Sequence, residues 1–552
     1  MDSDWFKRAV FYEVLVRSFA DSNGDGTGDF AGLAGKLDYL KWLGVDCLWL
    51  PPFFPSPLRD GGYDVAEYTS VQPNLGTVDD VKALLAAARE RGIRVITDFV
   101  MNHTSDEHPW FQASRTDPDG PYGDFYVWRD SPDVYLDARV IFYDYFNTER
   151  PDDPPNWSYD EVRGQWFYHR FYEFQPDLNF ENPKVLAAIL DAIRFWLDLG
   201  VDGFRLDAVP YLIEQDGTNC ENLPGTHAIL KQVRAMVDAE YPGRILLCEA
   251  NQWPADVIEY FGDGDECQMA FHFPVMPRLY MGLRQADRTC ISTILAETPP
   301  IPDGCQWGTF LRNHDELTLE MVTPAEREWM WREYAPDPRA RLNDGIRRRL
   351  APLLDGDRNR IELLHGLLLG LPGSPVLYYG DEIGMGDDIW LPDRDGVRTP
   401  MQWTSGPGAG FSTGPAETFP YPLIATPGYT PAEVNVADQQ ADRDSFLHWL
   451  REILGLRKLH PVLGTGEFLD LGGENLHVFS FLRRTTDEAI LCVNNLAGSP
   501  QTVELDLAEL GLGEPVVLHG SPVEVTATRG GVRITLDGHR FCWLDVRPPT
   551  HA

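Results

Sequence analysis

The side chains able to do chemistry stand at the ends of short, apolar, β-rich runs. One run leads into Asp98 and then Asn102-His103, another into Arg205-Leu206-Asp207, and another into Glu249-Ala250-Asn251. A further run ends at Asn313-His314-Asp315, and one leads towards Gly62-Tyr63-Asp64. A single carboxylate in such a place is commonly a cap or a salt bridge. Five sets at the ends of separate runs are not easily explained that way.

The residue types fit cleavage or transfer of a glycosidic bond. Two carboxylates across that bond support displacement through a covalent sugar ester, with retention of configuration. One must be ionised to attack the anomeric carbon, and the other must hold a proton for the leaving oxygen. Asp207 follows Arg205 by two positions. On a strand both side chains point to one face, and the guanidinium favours the ionised carboxylate. Asp207 is therefore the expected nucleophile. Glu249 lies in the apolar run Ile245-Leu246-Leu247-Cys248-Glu249-Ala250, where desolvation raises a carboxyl pKa. It is the expected acid/base. Asp315, with His103 and His314, is expected to bind ring hydroxyls and help distort the sugar.

A second constellation suits a metal. Asp21-Ser-Asn23-Gly-Asp25-Gly-Thr27-Gly-Asp29 puts side-chain oxygens at alternate positions, with Gly26 sixth for a sharp turn. This matches the first half of a calcium loop. The twelfth residue is Gly32 rather than Glu, and no helix pair frames the segment, so it is not an EF-hand. The expected ligands are Asp21, Asn23, Asp25, Thr27 and Asp29, around a structural Ca²⁺ or Mg²⁺.

Something must bring these ends to one rim. Apolar runs at 9–16, 46–50, 94–100, 203–207, 245–250, 268–273, 309–313 and 375–379 read as strands. Helical periodicity fills 33–43, 78–91, 183–199, 225–240, 253–261, 286–295, 360–369 and 445–459. Eight strand-then-helix units predict an α/β fold, a parallel (β/α)₈ TIM barrel whose active site lies at the C-terminal ends of the strands. A doubly wound sheet is the alternative, but no GxGxxG follows the first strand. The barrel is expected over 1–103 and 177–460. A stretch rich in Pro, Asp, Trp and Tyr, residues 104–176, reads as an inserted B domain after the third strand. Beyond Leu459 short alternating strands predict an antiparallel C-terminal β-domain over 461–552. Residues 406–431, rich in Pro and Gly, read as a long surface loop.

Composition narrows the partners. The chain has 552 residues, and 85 acidic side chains against 47 Lys and Arg give a formal charge of −38. A nucleic acid or an anionic membrane would need clustered cations, so neither is expected. Aromatics and carboxylates in abundance suit a neutral polyhydroxylated ligand. The start, Met1-Asp-Ser-Asp-Trp-Phe-Lys7, lacks a secretory signal pattern, and the most apolar stretch, 361–379, is broken by Glu362, His365, Pro372 and Pro375. Eight scattered cysteines show no CxxC pair. A cytoplasmic protein without a disulfide framework or organic cofactor is expected, and a homo-oligomer is left open.

The motifs also carry a resemblance. Asp98-Phe-Val-Met-Asn102-His103, Gly203-Phe-Arg205-Leu-Asp207-Ala-Val, Glu249, Asn313-His314-Asp315 and Gln175-Pro-Asp177-Leu-Asn179 resemble the signature regions of the α-amylase family of glycoside hydrolases and transglycosylases. The similarity spans nearly the whole chain. It implies a barrel with inserted B and C-terminal β-domains, Asp207 as nucleophile, Glu249 as acid/base and Asp315 as transition-state stabiliser. It also implies a salt bridge between Asp64, beside Tyr63, and Arg398, at the closed end of the pocket. A second metal site would join Asn102, Asp177 and Glu214 with the carbonyls of Tyr211 and Leu212.

The Gln-Pro-Asp-Leu-Asn form is similar to the oligo-1,6-glucosidase branch. Flanking stretches narrow it further: Glu249-Ala-Asn-Gln-Trp-Pro254, Gly217-Thr-Asn-Cys-Glu-Asn-Leu-Pro224, Ala270-Phe-His-Phe-Pro-Val275, Arg312-Asn-His-Asp-Glu-Leu-Thr-Leu-Glu320 and residues 345–357. They resemble members that isomerise maltose to trehalose by intramolecular glucosyl transfer, with glucose as a side product. Two features depart from that pattern: Arg-Pro-Asp-Asp-Pro-Pro between Glu149 and Asn156, and Gln268 in place of His. A hydrolase of the α-glucosidase type is the alternative. A third, a catalytically dead barrel serving as a binding subunit, lacks support because Asp207, Glu249 and Asp315 are all present. Isomerisation requires water to be shut out, and a lid of Trp110, Phe111, Tyr122, Phe125, Tyr126, Trp128, Trp157 and Tyr159 fits that need, although most of these are expected to form the small domain's own core.

Overall fold

The computed structural model describes residues 3–141, 156–520, 522–528 and 531–547. The β-rich runs close into an eight-stranded parallel barrel. Its strands are β1 (Phe11–Glu13), β2 (Cys47–Leu50), β3 (Arg94–Val100), β4 (Gly203–Asp207), β5 (Ile245–Cys248), β6 (Met269–Phe271), β7 (Gln306–Phe310) and β8 (Ser374–Tyr378). Both faces of a barrel strand are covered, which is why these runs are apolar throughout and not alternating. Helices between them lay one apolar stripe on the sheet. In Pro183–Leu199, Val185, Ile189, Ile193 and Trp196 are buried, Asn182 caps the start, and Gly200 ends the helix at φ +108°.

Register positions the chemistry. Asp98 pairs with Arg205 and Val100 with Asp207 across β3 and β4, while Leu206 pairs with Cys248 across β4 and β5. Asp98 and Arg205 therefore stand side by side, and Asp207 and Glu249 leave adjacent strands at the same height.

Strand β7 lies three residues earlier than expected: despite its polar start, Gln306-Trp307-Gly308 pairs with β6, and Gly308-Thr309-Phe310 with β8. Asn313, His314 and Asp315 thus belong to the loop that follows β7. Helix Val275–Gln285 was not among the expected helices; its positions 275 to 283 are all buried. The expected helix at 33–43 is two, Phe30–Ala34 and Leu37–Leu43, and that at 286–295 runs Thr289–Glu297.

The inserted segment leaves and rejoins the barrel through antiparallel bridges, His103 with Asp177 and Tyr126 with Leu178. It contains helix Pro109–Thr116 and a three-stranded sheet of Trp128–Arg129, Gln165–Tyr168 and Trp157–Asp160. Phe111 stacks on Trp128 and meets Tyr126 and Phe167 edge-on, and Tyr135, Trp157 and Tyr168 form a second cluster. The C-terminal part is a five-stranded and a three-stranded antiparallel sheet. Leu491, Ile534 and Leu544 are buried between them, while Phe479, Phe481 and Trp543 belong to the barrel core.

Candidate active site

Arg205 organises the rim. Its Nη1 donates to Asp98 Oδ2 at 2.8 Å and to Asp207 Oδ1 at 2.6 Å, and its Nη2 meets Glu249 Oε1 at 2.5 Å. Glu249 Oε2 also accepts from the Ala208 amide, 3.2 Å away. Ala208 is left-handed, at φ +52°, so the chain turns sharply after Asp207. The two carboxyls are thus bound to the two Nη atoms of one guanidinium. Burial pushes the Asp207 carboxyl well above its usual range, Arg205 opposes this and the Glu249 carboxylate reinforces it. The expected geometry of Arg205 and Asp207 is present, but burial outweighs the guanidinium.

Tyr63, His103 and Asp315, expected at a sugar, converge on one cavity. It is lined by Asp60, Tyr63, His103, Asp207, Glu249, Asn313, Asp315, Glu316 and Arg394, with Ile141 and Phe171 from the inserted segment. Asp315 Oδ1 is held by Arg394 Nη1 at 2.8 Å and Arg398 Nη2 at 3.1 Å, and its Oδ2 lies 3.2 Å from His314 Nε2. Although burial alone would raise it, His314 and the arginines hold the Asp315 carboxyl well below the usual carboxylate range. His103 is desolvated, which drops its pKa to about 3, and its Nε2 is buried without a hydrogen-bond partner. It is a neutral imidazole with a free polar atom beside the cavity.

The expected Asp64–Arg398 pair does not form. Asp64 is fully buried and accepts from Ser56 Oγ, the Asp60 amide and the Arg59 amide. It shapes the loop and does not line the cavity. The aspartate–arginine pair at the closed end is Asp60 with Arg394, at 2.5 Å, four residues before each predicted partner. Gln175 Nε2 donates to the other Asp60 oxygen at 2.9 Å. Burial raises the Asp60 carboxyl to about 6, against the pull of Arg394. Gly61 leaves room for Arg398 beside this pair: a Cβ there would lie 2.5 Å from Arg398 Nη1.

Sequence reading also missed Glu316 and Glu320. Glu316 is raised to about 7, by burial first, and its Oε2 has no partner. Glu320 and Tyr211 line the outer cavity and receive Arg139 from the inserted segment, at 2.6 and 3.0 Å. Arg139 also meets Glu221 at 2.7 Å, which Arg170 and Gln252 hold from below. The only advance signal for these residues is their place in the quoted flanking stretches. None of the eight lid aromatics lines the cavity; Ile141 and Phe171 do. The divergent residues between Glu149 and Asn156 lie outside the described residues. Gln268 ties the Leu246 amide to the Arg244 carbonyl, away from the cavity.

The two predicted metal sites differ in how their oxygens are occupied. Asn102 Oδ1, Asp177 Oδ2 and Glu214 Oε1 are all buried without partners. Burial raises Asp177 to about 8, and burial together with Asp177 raises Glu214. Unsatisfied oxygens in a dry, acidic place fit a hard divalent cation. Among the described residues no three His, Cys, Asp or Glu converge, so such a site must draw on amide and main-chain oxygens, as Asn102, Tyr211 and Leu212 would supply. In the 21–29 loop, Asp21 accepts from the amides of Asn23, Gly24 and Gly26, Asn23 from Asp25, and Asp25 from Thr27. Asp29 caps helix Phe30–Ala34. This loop is folded by its own side chains.

Comparison with known proteins agrees with this arrangement. The family described as alpha amylase, catalytic domain, matches residues 13–335 and 344–466, and the maltogenic amylase C-terminal domain matches 468–543. The trehalose synthase of Pimelobacter sp. (strain R48) is 59% identical over 99% of this chain and 97% of its own. The trehalose synthase/amylase TreS of Mycobacterium tuberculosis (strain H37Rv) is 58% identical over 100% of this chain and 92% of its own. The crystal structure of the trehalulose synthase MutB from Pseudomonas mesoacidophila MX-45 superposes with a TM-score of 0.77 at 27% identity, covering 98% of this chain and 99% of that one. With a closed parallel barrel, paired carboxylates after β4 and β5, and a family match over most of its length, the chain belongs to the α-amylase family.

Proposed function

We propose that the protein isomerises maltose and trehalose by retaining, intramolecular glucosyl transfer, with minor hydrolysis to glucose. The observation that carries the chemistry is the contact of Asp207 and Glu249 across one guanidinium. Inverting enzymes need carboxyls roughly 6.5–9.5 Å apart to admit a water between acid and base. Two carboxyls held on the two Nη atoms of one guanidinium favour the closer, retaining arrangement, in which one attacks and the other moves the proton.

Glu249 protonates the glycosidic oxygen of maltose as Asp207 attacks C1 of the non-reducing glucose, and the C1–O bond breaks. The freed glucose turns within the cavity. Its anomeric hydroxyl gives a proton to Glu249 and attacks C1, the bond to Asp207 breaks, and trehalose results. Asp60, Arg394, His103, His314 and Asp315 hold the hydroxyls of the first sugar, and Tyr211, Glu316 and Glu320 face the second. Arg139 closes the insertion against the barrel loops, which retains the free glucose and keeps water from the glucosyl ester.

A structural Ca²⁺ or Mg²⁺ would be held by Asn102, Asp177, Glu214 and the carbonyls of Tyr211 and Leu212, neutralising two buried carboxylates at the neck of the insertion. The 21–29 loop is proposed as a second, structural cation site. Incubating the protein with maltose and resolving the products tests the reading: trehalose as main product supports it, and glucose with no trehalose overturns it in favour of an α-glucosidase.

A further inference from the structure

Glu13, at the end of β1, is fully buried and has no part in the reaction above. Its Oε1 makes a short contact with His314 Nδ1, and its Oε2 is buried with no partner. The other ring nitrogen, Nε2, lies 2.7 Å from the Tyr63 hydroxyl and 3.2 Å from Asp315 Oδ2. Tyr63 stacks on the imidazole at 5.2 Å and 11°, and Trp49 meets it edge-on.

We propose that Glu13 is a positioning residue that holds His314 as an imidazolium and, through it, fixes Asp315 as an ionised carboxylate at the sugar. This rests on the proposed reading only in assuming that Asp315 works on a sugar.

Tyr63 has one hydroxyl proton and gives it to Asp98 Oδ2 at 2.5 Å. Asp98 also accepts from Arg205 at 2.8 Å and from Trp49 Nε1 at 2.6 Å. Burial raises the Asp98 carboxyl to about 6, against the pull of Arg205, so above that pH it is ionised and acceptor-only. The Tyr63 oxygen therefore faces His314 Nε2 as an acceptor, and that nitrogen must carry a hydrogen. Nδ1 faces a carboxylate and must carry another. A ring with hydrogen on both nitrogens is cationic.

The charged and titratable neighbours are Glu13 from β1, Tyr63 from the loop after β2, Asp98 from β3 and Arg205 from β4. Asp315 and Arg398 complete the set, with Arg398 Nε on the His314 carbonyl. Burial pulls the imidazole down, but Asp315 and Glu13 overcome it and carry His314 up to about 9. Below that pH the ring stays charged. With Glu13 neutralised the ring pKa falls, the cation is lost at a lower pH than in the wild type, and Asp315 loses the charged donor at its Oδ2.

One other proton placement satisfies the Glu13 contact: a protonated Glu13 against a neutral ring with hydrogen on Nε2. Glu13→Gln separates the two, because glutamine reproduces a neutral, protonated partner but not a carboxylate. The full-length variant is assayed on maltose from pH 6 to 8.5. The expected result is a kcat about ten- to a hundredfold lower at pH 8, as for loss of an orienting outer partner. KM should change little, and kcat should recover towards wild type near pH 6. A variant with wild-type kcat and an unchanged pH profile overturns the proposal. If the variant does not fold, ¹⁵N NMR of the wild-type ring, assigned by difference from His314→Asn, decides. Two protonated ring nitrogens at pH 7.5 support the proposal, and one bare nitrogen overturns it. That readout needs no turnover, so it separates failure of this proposal from failure of the proposed reaction.

Discussion

Asp207 and Glu249 take opposite nitrogens of the same guanidinium, at 2.6 and 2.5 Å, so the proposed nucleophile and acid are fixed relative to each other by Arg205. The guanidinium also spans to Asp98, which anchors it from β3. Moving either carboxyl therefore disturbs the other, and their roles are best separated by chemistry.

Asp207→Asn is expected to lower kcat on maltose by at least about 10⁴-fold, as for loss of a catalytic residue acting within a unit, with a melting temperature close to wild type. Glu249→Gln should fail on maltose yet still transfer from α-glucosyl fluoride, whose leaving group needs no proton. Equal loss on both donors would remove Glu249 from the acid role.

The closed end of the cavity gives a paired test of Asp60 against Asp64. Asp60→Asn loses a charge-assisted bond to Arg394, and kcat/KM should fall about ten- to a hundredfold. Asp64→Asn leaves buried amide donors poorly served, which costs about 1–3 kcal/mol of stability and lowers Tm while kcat/KM stays near wild type. Thermal unfolding and kinetics of both variants check this. The reverse pattern would restore the pair expected from sequence.

Much of this site was legible in the sequence, for a physical reason. Asp207, Glu249 and His103 sit within three residues of the end of an apolar run, so the barrel alone assigns them to one rim. Asp60 and Arg394 sit in irregular loops and are 334 residues apart, so only tertiary packing brings them together. Their neighbours Asp64 and Arg398 occupy the more conspicuous motifs, and reading by motif chose the wrong member of each pair. Arg398 still reaches the site, through Asp315 and not Asp64. The start of β7 was hidden because its polar Gln306 bonds the carbonyls of Lys7 and Gly464, where composition predicts an apolar residue.

Arg139 tests water exclusion. Arg139→Ala removes the bonds to Glu221, Glu320 and Tyr211 at the mouth. The share of glucose among the products should rise and the rate of trehalose formation should fall, each several-fold, while total cleavage of maltose changes less. Chromatography over a time course measures both. An unchanged product ratio would show that another contact holds the released glucose.

Chelation tests the structural cation. A chelator should lower the Tm of the wild type, because the buried oxygens of Asp177 and Glu214 then lose the ion that satisfies them. The Asp177→Asn variant should respond less. Any response that remains reports a second cation at the 21–29 loop, which Asp25→Asn would abolish. A wild type insensitive to chelation would contradict both sites.

The central claim is that the leaving glucose never departs. Maltose is incubated with the enzyme in excess ¹³C-labelled free glucose, and the trehalose formed is analysed by mass spectrometry. Intramolecular transfer predicts trehalose as main product with essentially no label. Trehalose carrying label in one ring would mean exchange with bulk glucose, and glucose alone would mean hydrolysis; either would contradict the account.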